Sequence, residues 1–90
     1  MTSDHHAAGT ATLVIALFAG MAEIAGSRNV ELPWGGGTVA DARRLVRRLH
    51  PALAPLLDRS AFAVGSRYVG DDTPLVVGDD VAIIPPVSGG

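Results

Sequence analysis

The chain has 90 residues, 48% of them hydrophobic and 18% charged, and a formal net charge of −2. A chain of this size buries only about 60–65% of its unfolded surface, so it holds one modest core and no deep private active site. It has no cysteine and all seven cations are arginine, which excludes disulfides, Cys-ligated zinc, thiol catalysis and a lysine Schiff base, and the acidic balance argues against a nucleic-acid partner.

The first residues, Met1-Thr2-Ser3-Asp4-His5-His6, lack the positive region of a signal peptide. The longest apolar run, Ala11 to Ala19, is well short of the roughly 20 residues a membrane helix needs. A soluble, cytoplasmic chain without a membrane partner is expected. Residues 1–10 read as a flexible tail. His5-His6 reads as an exposed pair, because no third metal ligand stands nearby.

Thr12 to Phe18 is apolar at almost every position and is bounded by Gly9 and Gly20, which predicts a strand buried on both sides. Gly20 to Ala25 predicts one or two helical turns ending at Gly26. Asn29 to Leu32 predicts a short strand stopped by Pro33. Trp34-Gly35-Gly36-Gly37 reads as a plain flexible connection, since neither a GK[ST] nor a GxGxxG pattern accompanies the glycines.

Thr38 opens the clearest helix. Thr38-Val39-Ala40-Asp41 resembles a capping box with Asp in place of Glu or Gln. Val39, Ala42, Leu45, Val46 and Leu49 form one stripe at helical spacing, with Arg43, Arg44, Arg47 and Arg48 opposite. His50-Pro51 ends the helix. A short helical piece is expected around Leu56-Leu57. Phe62-Ala63-Val64 and Arg67-Tyr68-Val69 flank Gly65-Ser66, a pattern that suits a type II′ hairpin. Gly70 to Pro74 forms a second turn region. Leu75-Val76-Val77 is followed by a turn at Gly78-Asp79-Asp80. Val81 to Ile84 is a second strand apolar on both faces, and Pro85-Pro86 ends it.

Little side-chain chemistry is legible. Asp71-Asp72 and Asp79-Asp80 stand beside glycine in turns, where Asp serves local backbone hydrogen bonds. The four helix arginines read as a solvated charged face. One sheet face lies under the long helix, while the other has little to cover it and should remain an apolar partner surface. In a strand apolar at every position, alternation alone does not identify the outward residues. Phe18, Ala82 and Ile84 are the candidates.

The chain end is distinctive. Pro85-Pro86 stiffens the exit from the strand. Pro85, Pro86, Val87, Ser88, Gly89 and Gly90 reach about 18–20 Å at ~3.1–3.3 Å each. Gly89-Gly90 can enter a channel where a Cβ would clash. A stiff spacer with a thin tip suits delivery of the Gly90 carboxylate into another protein's active site.

These segments resemble the MoaD/ThiS family of ubiquitin-like sulfur carriers, and within it the small subunits of molybdopterin synthase. The likeness covers about residues 12–90. It is carried by Leu17-Phe18-Ala19 through Ala25-Gly26, by Thr38-Val39-Ala40-Asp41, by Ala63-Val64, by Thr73-Pro74-Leu75, and above all by the run from Gly78 to Pro85-Pro86-Val87-Ser88-Gly89-Gly90. Gly65 stands where the family commonly has Asn, and Ile83 and Ile84 where it often has an aromatic. The resemblance implies an α+β fold of the β-grasp type, with a mixed sheet of four to five strands packed on one main helix (residues 11–84), a flexible segment 1–10 and an extended tail 85–90. It also implies that an E1-like adenylyltransferase uses ATP to activate Gly90, that a sulfurtransferase converts it to a thiocarboxylate, and that the tail enters the synthase large subunit, in a heterotetramer. Sulfur then passes to cyclic pyranopterin monophosphate. The chain binds no cofactor or metal of its own on this reading and is not an enzyme alone. Alternatives are a carrier for thiazole, cysteine or tRNA thiolation, a ubiquitin-like protein modifier, and a plain interaction domain.

Overall fold

A computed structural model describes residues 11–86. The expected flexible segment 1–10, with His5-His6, and the tail residues Val87, Ser88, Gly89 and Gly90 lie outside the described residues. In chain order the elements are β1 (Thr12–Leu17), α1 (Ala19–Ala25), β2 (Asn29–Pro33), α2 (Val39–Leu49), a 3-10 turn (Pro51–Leu53), α3 (Ala54–Leu57), β3 (Ala61–Val64), β4 (Arg67–Val69) and β5 (Val81–Ile84). The strands form one mixed sheet in the order β2-β1-β5-β3-β4, with β1 and β5 parallel and the other pairs antiparallel. No described helix is long and apolar enough to cross a membrane.

The apolar runs become the two central strands, β1 and β5. Leu13, Ile15 and Leu17 from β1 and Val81 and Ile83 from β5 point into one core. They meet Met21 of α1, Val39, Ala42 and Val46 of α2, Leu53, Leu57 of α3 and Phe62 of β3 there. All the helices therefore cover the same sheet face.

Local signals explain most boundaries. Gly26 takes φ +69° and closes α1, its N–H reaching the Ala22 carbonyl at 2.9 Å. Gly65 takes φ +64° in the two-residue hairpin turn and Ser66 does not have positive φ, the combination a type II′ turn requires. The Asp79 carboxylate accepts the Val76 N–H at 2.9 Å, the turn role expected for that residue.

The capping box is built. Thr38 Oγ1 accepts the Asp41 N–H at 3.4 Å, and Asp41 Oδ2 accepts the Thr38 N–H at 2.9 Å. The Thr38 backbone and hydroxyl bonds, with Arg44 nearby, hold the Asp41 carboxyl below its ordinary pKa. Its stabilisation is therefore present above the unfolded carboxylate pKa of about 3.9 and is lost as pH falls through the lower folded value. Asp41→Ala should destabilise the domain at neutral pH, and urea melts should show the gap from the parent narrowing below about pH 4.

Four expectations need correction. β1 is not buried on both sides: Thr12 and Val14 are exposed, because the helices all pack on the other face. Pro33 does not stop β2 but belongs to it, paired with Thr12. Leu17 donates to Arg28 O and Trp34 to Ala11 O, each at 2.8 Å. Antiparallel alternation between those bonds turns the backbone groups of Asn29, Glu31 and Pro33 away from β1. On this edge strand the missing N–H of Pro33 costs nothing.

The segment Trp34 to Gly37 is a loop but not a loose one. Trp34 is buried and its Nε1–H donates to the Leu75 carbonyl at 2.8 Å. Gly37 O accepts the Leu75 N–H at 2.9 Å. Gly37 has φ +137°, and a Cβ there would stand 2.7 Å from the Asp41 carboxylate, so glycine is required.

Arg43 is not part of a solvated face. It lies next to the buried stripe, one residue after Ala42 and three before Val46. Its Nη1 donates to Leu57 O at 2.7 Å and Ser60 O at 3.0 Å, and its Nη2 meets Asp71 at 3.1 Å. The guanidinium stands 5.0 Å from the centroid of Phe62. Arg43→Ala should cost about 2–3 kcal/mol by denaturant melts, because it strips the Ser60 carbonyl of its donor, leaves the Leu57 carbonyl only the Ser60 N–H, and removes packing over Phe62.

Candidate functional site

Sheet register identifies the outward face. Val81 and Ile83 of β5 are buried, so Ala82 and Ile84, both half-buried, face away from the helices. Ala82 pairs with Ala16 on one side and Ala63 on the other, Ala16 pairs with Asn29, and Ala63 with Tyr68. A row of three alanines thus crosses the middle of the sheet, with Tyr68 at one end. Val14, 47% exposed, lies on the same face of β1. Among the described residues no element covers this surface.

Phe18 lies at one edge of it. Leu17 pairs with Ile83 in the parallel β1–β5 ladder, so Phe18, which follows β1, and Ile84, the last residue of β5, come at the same end of the two strands. Phe18 is 49% exposed and is the N-cap of α1. Ala61 pairs with Ile84 there. Pro85, half-buried, and Pro86, exposed, continue the chain from this edge. The three sequence-predicted surface residues, Phe18, Ala82 and Ile84, are therefore on one face, and the chain leaves β5 beside two of them. Val87 to Gly90 lie outside the described residues.

The backbone bends sharply at this edge. Ala19 has φ +51°, the one non-glycine residue with positive φ among those described. A left-handed alanine costs about 1 kcal/mol. The strain turns the chain from β1 into α1 just after Phe18, and a hollow lined by Ala16, Phe18, Ala19 and Arg28 opens beside it. Ala19→Gly should stabilise the fold by up to about 1 kcal/mol in thermal melts, the relief of strain set against the flexibility glycine adds to the unfolded chain.

Sequence reasoning missed Val14, Ala16, Ala63 and Tyr68 as members of this face. The polar and apolar alternation that would have marked them is absent in β1 and β5, and only the pairing register supplies it. Among the described residues no group of His, Cys, Asp or Glu is arranged to hold a metal ion. What the face offers is area, shape and an exit for the chain.

The ThiS family model matches residues 15–90. The molybdopterin synthase sulfur carrier subunit of Dictyostelium discoideum is 34% identical over 80 residues, covering 84% of this chain and 93% of that protein. Small archaeal modifier protein 1 of Haloferax volcanii is 36% identical over 94 aligned positions, covering 82% of this chain and 95% of that one. The crystal structure of SAMP1 from Haloferax volcanii superposes with a TM-score of 0.75 at 33% identity, covering 88% of this chain and 99% of that one. The mixed five-stranded sheet is that of the ubiquitin-like β-grasp fold.

Proposed function

The chain belongs to the ThiS family, and from that premise we propose that it carries sulfur on Gly90 for molybdopterin biosynthesis. The observation behind this reading is the run of central strand β5 into Pro85-Pro86, beside Phe18 and an uncovered apolar face, with Val87-Ser88-Gly89-Gly90 following in sequence.

A C-terminal carboxylate has a pKa of about 3.3–3.7, so it is ionised at neutral pH and is a poor electrophile. An E1-like partner joins it to AMP from ATP, and pyrophosphate leaves. A sulfurtransferase then supplies sulfide-level sulfur to the carbonyl carbon, the bond to AMP breaks and AMP leaves, and a thiocarboxylate remains. The outward face, with Phe18, Ala82 and Ile84, docks the carrier on the synthase large subunit. The tail from Pro85 to Gly90 reaches that subunit's catalytic residues, sulfur passes to cyclic pyranopterin monophosphate, and water takes its place on the acyl carbon, which returns Gly90 to the carboxylate. This chain supplies no catalytic side chain. Its lack of cysteine fits the role, because the sulfur is held at the terminus.

The test is reconstitution. Thiocarboxylated carrier, a molybdopterin synthase large subunit and cyclic pyranopterin monophosphate should together yield molybdopterin, and carrier with an ordinary carboxylate should not. Equal yield from both forms would reject the reading. The likeness to small archaeal modifier protein 1 supports a second reading, in which Gly90 is joined to lysines of other proteins. Tryptic peptides whose partner lysines carry the branched segment from Tyr68 to Gly90, the piece left after cleavage at Arg67, the last tryptic site of this chain, would favour it.

A further inference from the structure

Between α2 and the loop that follows edge strand β2 lies a hollow of about 660 Å³. One wall is Arg44, Arg47 and Arg48 of α2, and the other is Trp34, Gly35 and Gly36. Three cations here face one lining carboxylate, Asp41, although the chain as a whole carries a net charge of −2. Charge is thus segregated, and this is a positive patch on an acidic protein.

Arg44 pairs with Asp41 and Arg47 with Asp58, but these pairs are solvent-exposed, with Arg44 at 66% and Arg47 at 39% side-chain exposure. Exposed pairs of this kind hold their members weakly, so both guanidiniums remain available to an incoming anion. The opposite wall is fixed by the Trp34 and Gly37 bonds to Leu75. Gly35 and Gly36 are exposed, and among the described residues neither N–H has a backbone acceptor. A Cβ at Gly35 would meet nothing within 4 Å, so packing does not demand glycine there. Its absence of a side chain leaves the amide approachable. Pro33 and Leu45 add apolar lining.

We propose that this hollow binds an acidic segment of a partner protein, with Glu or Asp carboxylates on Arg44 and Arg48 and an apolar residue against Leu45. A nucleotide is the poorer fit, since Trp34 is only 6% exposed and offers no face on which a base could stack. None of Phe18, Ala82 and Ile84 lines the hollow, so the carrier can be held here while those residues are engaged elsewhere. The inference does not depend on the sulfur chemistry.

The experiment titrates the full chain with an acetylated peptide of repeating Glu-Glu-Leu. It reads the fluorescence of Trp34, the single tryptophan, and the amide resonances of Gly35 and Gly36. Saturable shifts at these three residues are expected, weakening as salt is raised. The Arg44→Gln/Arg48→Gln double variant should bind roughly tenfold more weakly or worse, with an unchanged melt. Arg67→Gln, in the distant hairpin, should bind as the parent does. Absence of a saturable shift, parent-like binding by the double variant, or tighter binding of inorganic phosphate or ATP than of the peptide would each overturn the proposal. Thiocarboxylation of Gly90, measured separately, should be equal in parent and double variant.

Discussion

Removing Gly90 should abolish sulfur loading while leaving the folded domain intact. The whole core lies between Leu13 and Ile83, so loss of the last residue should not move the thermal transition. The chemistry has no such margin. The truncated chain ends at the Gly89 carboxylate, about 3.3 Å short of the original position. Reacting atoms must come within about 3–3.5 Å in the right orientation, so a deficit of that size places the carboxylate outside productive geometry. Pro85-Pro86 should prevent the tail from stretching to compensate, because both φ angles are fixed. ATP–pyrophosphate exchange by the activating enzyme and the mass of the product report the two steps. Parent-like loading of the truncated chain would remove Gly90 from the mechanism.

Placing aspartate at neighbouring positions of β5 should give opposite outcomes. Ala82 faces outward between Ala16 and Ala63. A carboxylate there stays in contact with water in the free protein, so Ala82→Asp should fold, with a transition within a few degrees of the parent. Docking on the large subunit would bury that charge without a counterion, at a cost of about 3 kcal/mol or roughly 100-fold in affinity. Ile83, fully buried, sits between Leu17 and Phe62 in the same strand. Ile83→Asp puts a charge into the core at a cost of several kcal/mol, enough to consume much of a stability that is typically about 5–15 kcal/mol. It should be unfolded by circular dichroism. Parent-like binding by Ala82→Asp, or its failure to fold, would contradict the assignment of the faces.

Local punctuation in the sequence marked most elements. Gly26, Thr38 with Asp41, Pro51 and Gly65-Ser66 each dictate backbone geometry through their own chemistry, and each does so in the structure. Features set by partners distant in sequence were not legible. Pro33 reads as a strand stop until its place on an edge strand, with its ring nitrogen turned outward, is known. The glycine run after Trp34 reads as slack until Leu75, 41 residues from Trp34, is found to fasten it. Arg43 reads as solvated because helical periodicity places it beside the stripe and says nothing of Leu57, Ser60 and Asp71, which come to meet it. The apolar face was foreseeable from two strands that are hydrophobic throughout. Its membership was not, since register alone decides whether Ala82 or Ile83 points outward.

The most direct measurement is intact-mass and C-terminal peptide analysis of the protein purified from its native cells. A fraction of the molecules should carry the oxygen-to-sulfur mass increase on Gly90, and it should disappear when the activating enzyme is absent. A Gly90 that never carries sulfur, in cells actively making molybdopterin, would contradict the account.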